Sequence, residues 1–206
     1  IILFLTIPAA VGLSILSFPA FGVLFGLGDV EIGGSILRYY APIAIFFSLF
    51  AVSAAILQGM NKQKYAVIGL LVALIVKLLS NYLAIYSLGA LGGVLTTYLG
   101  YTISIAINVW AIGKFANYNY RFIVKRFILI SIFVAIMAFV VVIIKHVLEL
   151  VFPMTNWANA LIVLIPSIAS GGLIYFFLTV RSHLAGQILG QRFSFLRWKK
   201  KRSEAQ

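Results

Sequence analysis

Lys77 sits in the middle of an apolar run, Tyr65 to Ser87, that is long enough to cross a lipid bilayer. Counted from Tyr65 at about 1.5 Å per residue, it lies roughly 18 Å in, just past the centre of a hydrocarbon layer about 30 Å thick. A lysine at that depth costs about 2.5–3.5 kcal/mol on insertion scales, so some feature of the protein should offset it. One reading is a cation that faces a water-filled cavity and meets an anionic substrate group. The other is a side chain that snorkels outward or bonds to carbonyls of a neighbouring helix. Asn81 follows one turn later, while Gly69 and Ala73 precede it by two turns and one, so a single helix face carries small, cationic and amide side chains. That face suits a substrate path, and equally a packing seam, because small residues let transmembrane helices approach closely.

A second polar stripe follows. Thr97, Tyr101, Ser104 and Asn108 recur at i, i+4, i+7 and i+11, which is one helical face, and Thr96, Tyr98 and Thr102 widen it. Hydroxyls in a membrane can line an aqueous path for a sugar. They can also bond back to their own helix, or hold helices together at about 0.6–2 kcal/mol each. Lys77, Asn81, Thr97, Tyr101, Ser104 and Asn108 are therefore the candidate substrate-binding residues. Catalysis has no residues to carry it: no nucleophile stands near a base, no carboxylates are paired, and no glycine loop suits a phosphate. His146 and His183 lack partners for a metal, and with no cysteine there is no thiolate, zinc site or disulfide. No catalytic, metal or cofactor site is expected. Arg38 and Gln58 read as interface anchors, and Lys145 and Glu149, four apart, suit an ion pair at a helix end. Gly33-Gly34 and Gly171-Gly172 read as packing or kink positions.

The elements that must position these residues follow from composition. Of 206 residues, 63% are hydrophobic and 10% charged, with a mean hydropathy of +1.12. Soluble domains are about half apolar and about a quarter charged, so bilayer is the solvent that suits this chain. Six stretches reach the roughly 20 residues a span needs: about 1–26, 35–60, 65–87, 91–113, 126–150 and 157–180. Short polar or glycine-rich links join them, including Gly26-Leu27-Gly28-Asp29, Asn61-Lys62-Gln63-Lys64 and Gly89-Ala90-Leu91-Gly92-Gly93. The expected architecture is all-α, a polytopic transmembrane bundle of about six helices followed by a basic tail over 181–206. Pro8, Pro19, Pro42 and Pro166 fall inside or near the start of spans and permit kinks.

The net charge of +12 is placed for a membrane and argues against nucleic acid. Thirteen of the 16 Lys and Arg belong to one set of helix ends: Lys62, Lys64, Lys114, Arg121, Lys125, Arg126, Arg181, Arg192, Arg197, Lys199, Lys200, Lys201 and Arg202. The opposite ends hold only Arg38 and Lys145, with the acids Asp29, Glu31 and Glu149. By the positive-inside rule the tail is cytoplasmic, and with six spans the first helix also starts there. In the tail, Leu184, Ile188, Leu189, Phe193 and Leu196 recur at roughly helical spacing before Trp198 and a basic run. They predict an amphipathic helix on anionic lipid of the inner leaflet; the other reading is a disordered basic tail, since Gly186 and Gly190 weaken a helix. The sequence opens inside an apolar run without an initiator methionine, and reads as a piece whose upstream part is missing.

The segments Leu5-Thr6-Ile7-Pro8-Ala9-Ala10-Val11-Gly12-Leu13 and Tyr40-Ala41-Pro42-Ile43-Ala44 resemble the polysaccharide transporter family. So do Ala54 to Gln63, with Leu57-Gln58-Gly59 ahead of a basic loop, and the continuation through Lys77, Asn81, Gly89–Gly93 and Gly100-Tyr101. That family lies in the multidrug, oligosaccharidyl-lipid and polysaccharide exporter superfamily, and the likeness is strongest to stage V sporulation protein B and MurJ-like lipid II flippases. The resemblance implies the C-terminal part of an exporter of twelve to fourteen helices in two lobes. It also implies alternating access, a cationic central cavity for pyrophosphate and sugar, and a lipid-tail groove at the last two helices. The implied partner is a lipid-linked oligosaccharide of the undecaprenyl pyrophosphate type, in a bacterial plasma membrane. A cation-coupled multidrug exporter of the same superfamily and a non-transporting membrane scaffold are the competing expectations.

Overall fold

Pro19 decides the shape of the first apolar run. Its ring has no N–H to donate and crowds the carbonyl of Ile15, four residues back. In the computed structural model, which describes residues 2–116, 120–153 and 156–181 (without the side chains of 120–126), the run is two helices, α1 (Ile2–Ile15) and α2 (Ser17–Phe25). They meet at Leu16 with a 78° bend, so the single span expected over about 1–26 is a broken one. Pro8 and Pro166 leave their own helices, α1 and α8, unbroken.

After Gly26, which takes a left-handed φ of 92°, α3 (Val30–Tyr40) folds back on α2. The Phe21 ring lies where a side chain at Gly33 would stand, and Phe18 does the same at Gly34, so this glycine pair is what lets α2 and α3 touch. Pro42 then opens α4 (Ile43–Gly59), and the apolar stretch Val30–Gly59 continues through both helices. At the end of α4, Asn61 adopts φ 58° and the Lys62 N–H donates to the Leu57 carbonyl at 2.8 Å, a left-handed helix stop that asparagine tolerates well. Two long helices, α5 (Gln63–Leu88) and α6 (Ala90–Phe115), are joined by Gly89 alone at φ 59°. The last pair is α7 (Tyr120–Val151) and α8 (Trp157–Arg181).

Neighbours succeed one another in the order α5, α6, α4, α1, α7, α8, and α2 bridges α8 to α3. Two apolar clusters hold this row. Phe4, Ile7 and Leu16 pack with Ile130, Val134, Met137, Val141 and Tyr175 of α7 and α8. Ala54 and Leu57 pack with Ala66, Ala111 and Ile112 of α5 and α6. Large apolar side chains also cover the outside: on α5 alone Val67, Leu71, Ile75, Leu78, Leu79 and Leu83 are exposed, as suits a lipid-facing surface. Among the described residues, five helical stretches are long and apolar enough to span a membrane, and six if α1 and α2 count together. The chain is an all-α, multi-pass membrane bundle, with no strand among the described residues. The expected tail helix falls on residues beyond Arg181, which lie outside the described residues.

Candidate functional site

The seam between α5 and α6 carries most of the candidate residues. Helix α5 brings Gly69 and Ala73, both buried, to this seam, followed by Lys77 and Asn81 at successive turns. The Asn81 Oδ1 accepts a hydrogen bond from Thr96 Oγ1 at 3.1 Å, and Thr96 is almost fully enclosed. Lys77 lies one turn earlier, with its Cβ facing Gly100 of α6, where a methyl group would come within 3.9 Å. Its side chain is half-buried, and no hydrogen bond or ion pair reaches its ammonium among the described residues.

Deeper along α6 the polar stripe turns inward. Ser104 and Asn108 have no exposed surface. Asn108 donates from Nδ2 to Ser53 Oγ of α4 at 3.0 Å, while Gly69 of α5 faces Ser104 Oγ and Asn108 Oδ1 from the other side. A methyl group at Gly69 would sit 3.2 Å from Ser104 Oγ, so the glycine makes room for a three-helix polar node. Ser104 Oγ and Asn108 Oδ1 are buried without a hydrogen-bond partner in the structure, while Ser53 also donates to Phe50 O. Thr97 bonds back to Gly93 O at 2.8 Å. Tyr101 is half-buried and meets the rings of Phe47 and Phe50 at 6.0 and 6.2 Å. Of the six candidates, then, Asn81, Thr97, Ser104 and Asn108 take part in packing among α4, α5 and α6, and Lys77 and Tyr101 keep part of their surface open. Ser53, the partner of Asn108, was not singled out in the sequence. Ser48 and Ser53, the polar residues of α4 before Gln58, are the signal that points to it.

This node makes a measurable prediction. A double-mutant cycle of Ser53→Ala and Asn108→Ala, read by unfolding in detergent, should give a coupling of about 0.6–1.7 kcal/mol, the range for hydrogen bonds between transmembrane helices. Strictly additive losses would show that the 3.0 Å contact contributes nothing specific.

Clefts open on the bundle among the described residues, three of which bear on the site. One of about 760 Å³ lies between α4 and α5, walled by alanines, with Gln58, Asn61 and Gln63 at one end. One of about 290 Å³ is polar and gathers Ser14, Arg38, Lys145, His146 and Glu149. The third, about 440 Å³, is an apolar groove among α1, α7 and α8. Its lining includes Leu5, Leu13, Val141, Leu164, Ile168 and the paired Gly171-Gly172. Tyr175, at the same groove, donates to Phe4 O at 2.7 Å and holds α8 to α1. None of the six candidate residues lines these three clefts. Within the described residues no group of acidic or histidine side chains is placed to hold a metal.

An apolar row of helices, with Lys77 half-buried on the α5–α6 seam, a buried polar node and a side groove, defines a polytopic membrane protein. The chain is 41% identical over 194 residues, 93% of its length, to the lipid II flippase MurJ of Bacillus subtilis (strain 168). That likeness supports the MurJ-like family; the chain matches a C-terminal part of that relative and spans 36% of its length. No family model and no solved structure matches the chain.

Proposed function

We propose that this chain is part of a transporter that flips a lipid-linked cell-wall precursor across a bacterial plasma membrane by alternating access. The observation that carries the reading is the 41% identity, over nearly the whole chain, to a protein named for lipid II flipping. The apolar groove among α1, α7 and α8 suits a polyprenyl tail, since it offers apolar lining along several helical turns. Lys77 serves the opposite end of the same substrate: a cation at membrane depth lowers the cost of carrying a pyrophosphate through hydrocarbon. Asn81, Thr97, Tyr101, Ser104 and Asn108 complete the path or hold the helices that form it. In this orientation Lys62, Lys64, Lys114 and the basic tail face the cytoplasm, and the tail adds attraction to anionic lipid. An inward-negative potential then favours outward movement of the anion, by about 2.3 kcal/mol per charge per 100 mV.

The test is flipping by the parent transporter in proteoliposomes loaded with an undecaprenyl-pyrophosphate-linked precursor. Protein-dependent appearance of the precursor in the opposite leaflet is expected. No flipping, with transport of a cationic dye instead, would move the chain to the drug-exporting branch of the superfamily. No transport of either would favour the scaffold.

A further inference from the structure

The end of the bundle opposite Lys62, Lys64 and Lys114 has two basic residues among those described, Arg38 on α3 and Lys145 on α7. They are more than a hundred positions apart in sequence, and the fold delivers both to the same 290 Å³ pocket. The pocket is held in place from several sides. Ser14 Oγ of α1 donates to the Arg38 carbonyl at 2.7 Å, and Tyr98 of α6 donates to the neighbouring Tyr39 carbonyl at 2.9 Å, so the end of α3 is fixed between two helices. Lys145 reaches over the Phe18 ring at 5.8 Å and pairs with Glu149 at 3.7 Å, which directs its ammonium to the pocket. With Lys145 and Glu149 offsetting each other, Arg38 leaves one net positive charge, and its guanidinium has no carboxylate partner among the described residues. His146 adds a ring N–H at the wall.

We infer that Arg38, Lys145 and His146 form a binding site for the phosphate of a lipid at this face of the membrane, with Arg38 as its principal contact. Resting on the orientation proposed above, the face is the outer one. A planar guanidinium suits a phosphate because it offers several donors in one plane, and the half-shielded pocket strengthens each of them over open water. Elsewhere this face carries acids, Asp29 and Glu31, so a phosphate would be drawn to the pocket and not to its surroundings. The phosphate belongs either to a bilayer phospholipid or to a polyprenyl pyrophosphate arriving from the other leaflet.

The two sources separate in one experiment. The parent transporter, purified in a neutral detergent, is titrated with phosphatidylglycerol, with undecaprenyl pyrophosphate and with diacylglycerol as the phosphate-free control. Native mass spectrometry counts the lipids bound per protein. Arg38→Gln should weaken one bound phosphate lipid at least tenfold and leave diacylglycerol unchanged. Arg38→Lys should recover part of the loss, and Lys62→Gln, a charge removed at the other end, should change nothing. A loss confined to phosphatidylglycerol assigns the site to the bilayer, and one confined to undecaprenyl pyrophosphate assigns it to the carried lipid. Equal binding of both phosphate lipids by wild type and Arg38→Gln, or an equal loss of diacylglycerol, overturns the site. If Arg38→Gln fails to fold, Lys145→Gln carries the same comparison. A parent that binds phosphate here but flips no precursor keeps this site and loses the flippase reading.

Discussion

Gly92→Ala should strongly destabilise the α5–α6 pair, while Gly93→Ala, one residue along, should be neutral or slightly stabilising. A Cβ at residue 92 would meet the Ala84 carbonyl and the Ile85 nitrogen of α5. Those are backbone atoms of the last turn of α5, so no side-chain rotation relieves the clash and the two helices must part. Overpacking of this kind costs about 1–3 kcal/mol and more where backbone must move. At Gly93 the nearest atom is Asn81 Oδ1 at 3.9 Å, an ordinary contact. There the helix preference of alanine over glycine, up to about 1 kcal/mol, acts unopposed. Thermal unfolding of the two variants in the same detergent should therefore move the midpoint in different directions. Similar behaviour would mean that α5 and α6 do not pack as closely as described.

Lys77→Ala should lower precursor flipping by the parent transporter ten- to hundredfold with expression and thermal stability kept. Hydrogen bonds to charged groups contribute about 1.5–3 kcal/mol, and each 1.4 kcal/mol is a factor of ten. The half-buried ammonium has no partner within the described residues, so removing it should cost the fold little. Lys77→Arg should keep more activity than Lys77→Ala, because charge is retained at the seam beside Gly100. Unchanged flipping in Lys77→Ala would return the residue to snorkelling beside a packing seam.

The helices were legible in the sequence because apolar length is itself the physical requirement for a span, and because Gly89, Asn61 and Gly26 supply the left-handed or open turns between them. The break at Leu16 was not. Pro8, Pro19 and Pro166 look alike in sequence, yet α1 and α8 run unbroken through theirs, and the 78° bend falls just before Pro19. Which proline bends a helix depends on what receives the bent segment, here Gly33 and Gly34 opening α3 to Phe21 and Phe18. The candidate site was legible as faces and not as contacts. Helical spacing put Lys77 and Asn81 on one side of α5 and Ser104 and Asn108 on one side of α6. Spacing within a helix carries no information about the facing element, so Ser53 against Asn108 and Arg38 beside Lys145 emerge only from the fold.

The two apolar clusters imply an order of assembly during synthesis. Contacts around α6 are local: Thr96 bonds to Asn81 fifteen residues before it, and Asn108 to Ser53 fifty-five before it. The bonds that tie α1 and α2 to α8 are distant, since Tyr175 closes on Phe4 across 171 residues and Trp157 on Val23 across 134. At about 5–20 residues per second, α1 is made on the order of ten seconds before α8 exists to hold it. In that interval α4, α5 and α6 can already pair. Helix α4 can also settle against α1 in that time, while the side of α1 that meets α7 and α8 stays unclaimed until those two helices enter the membrane.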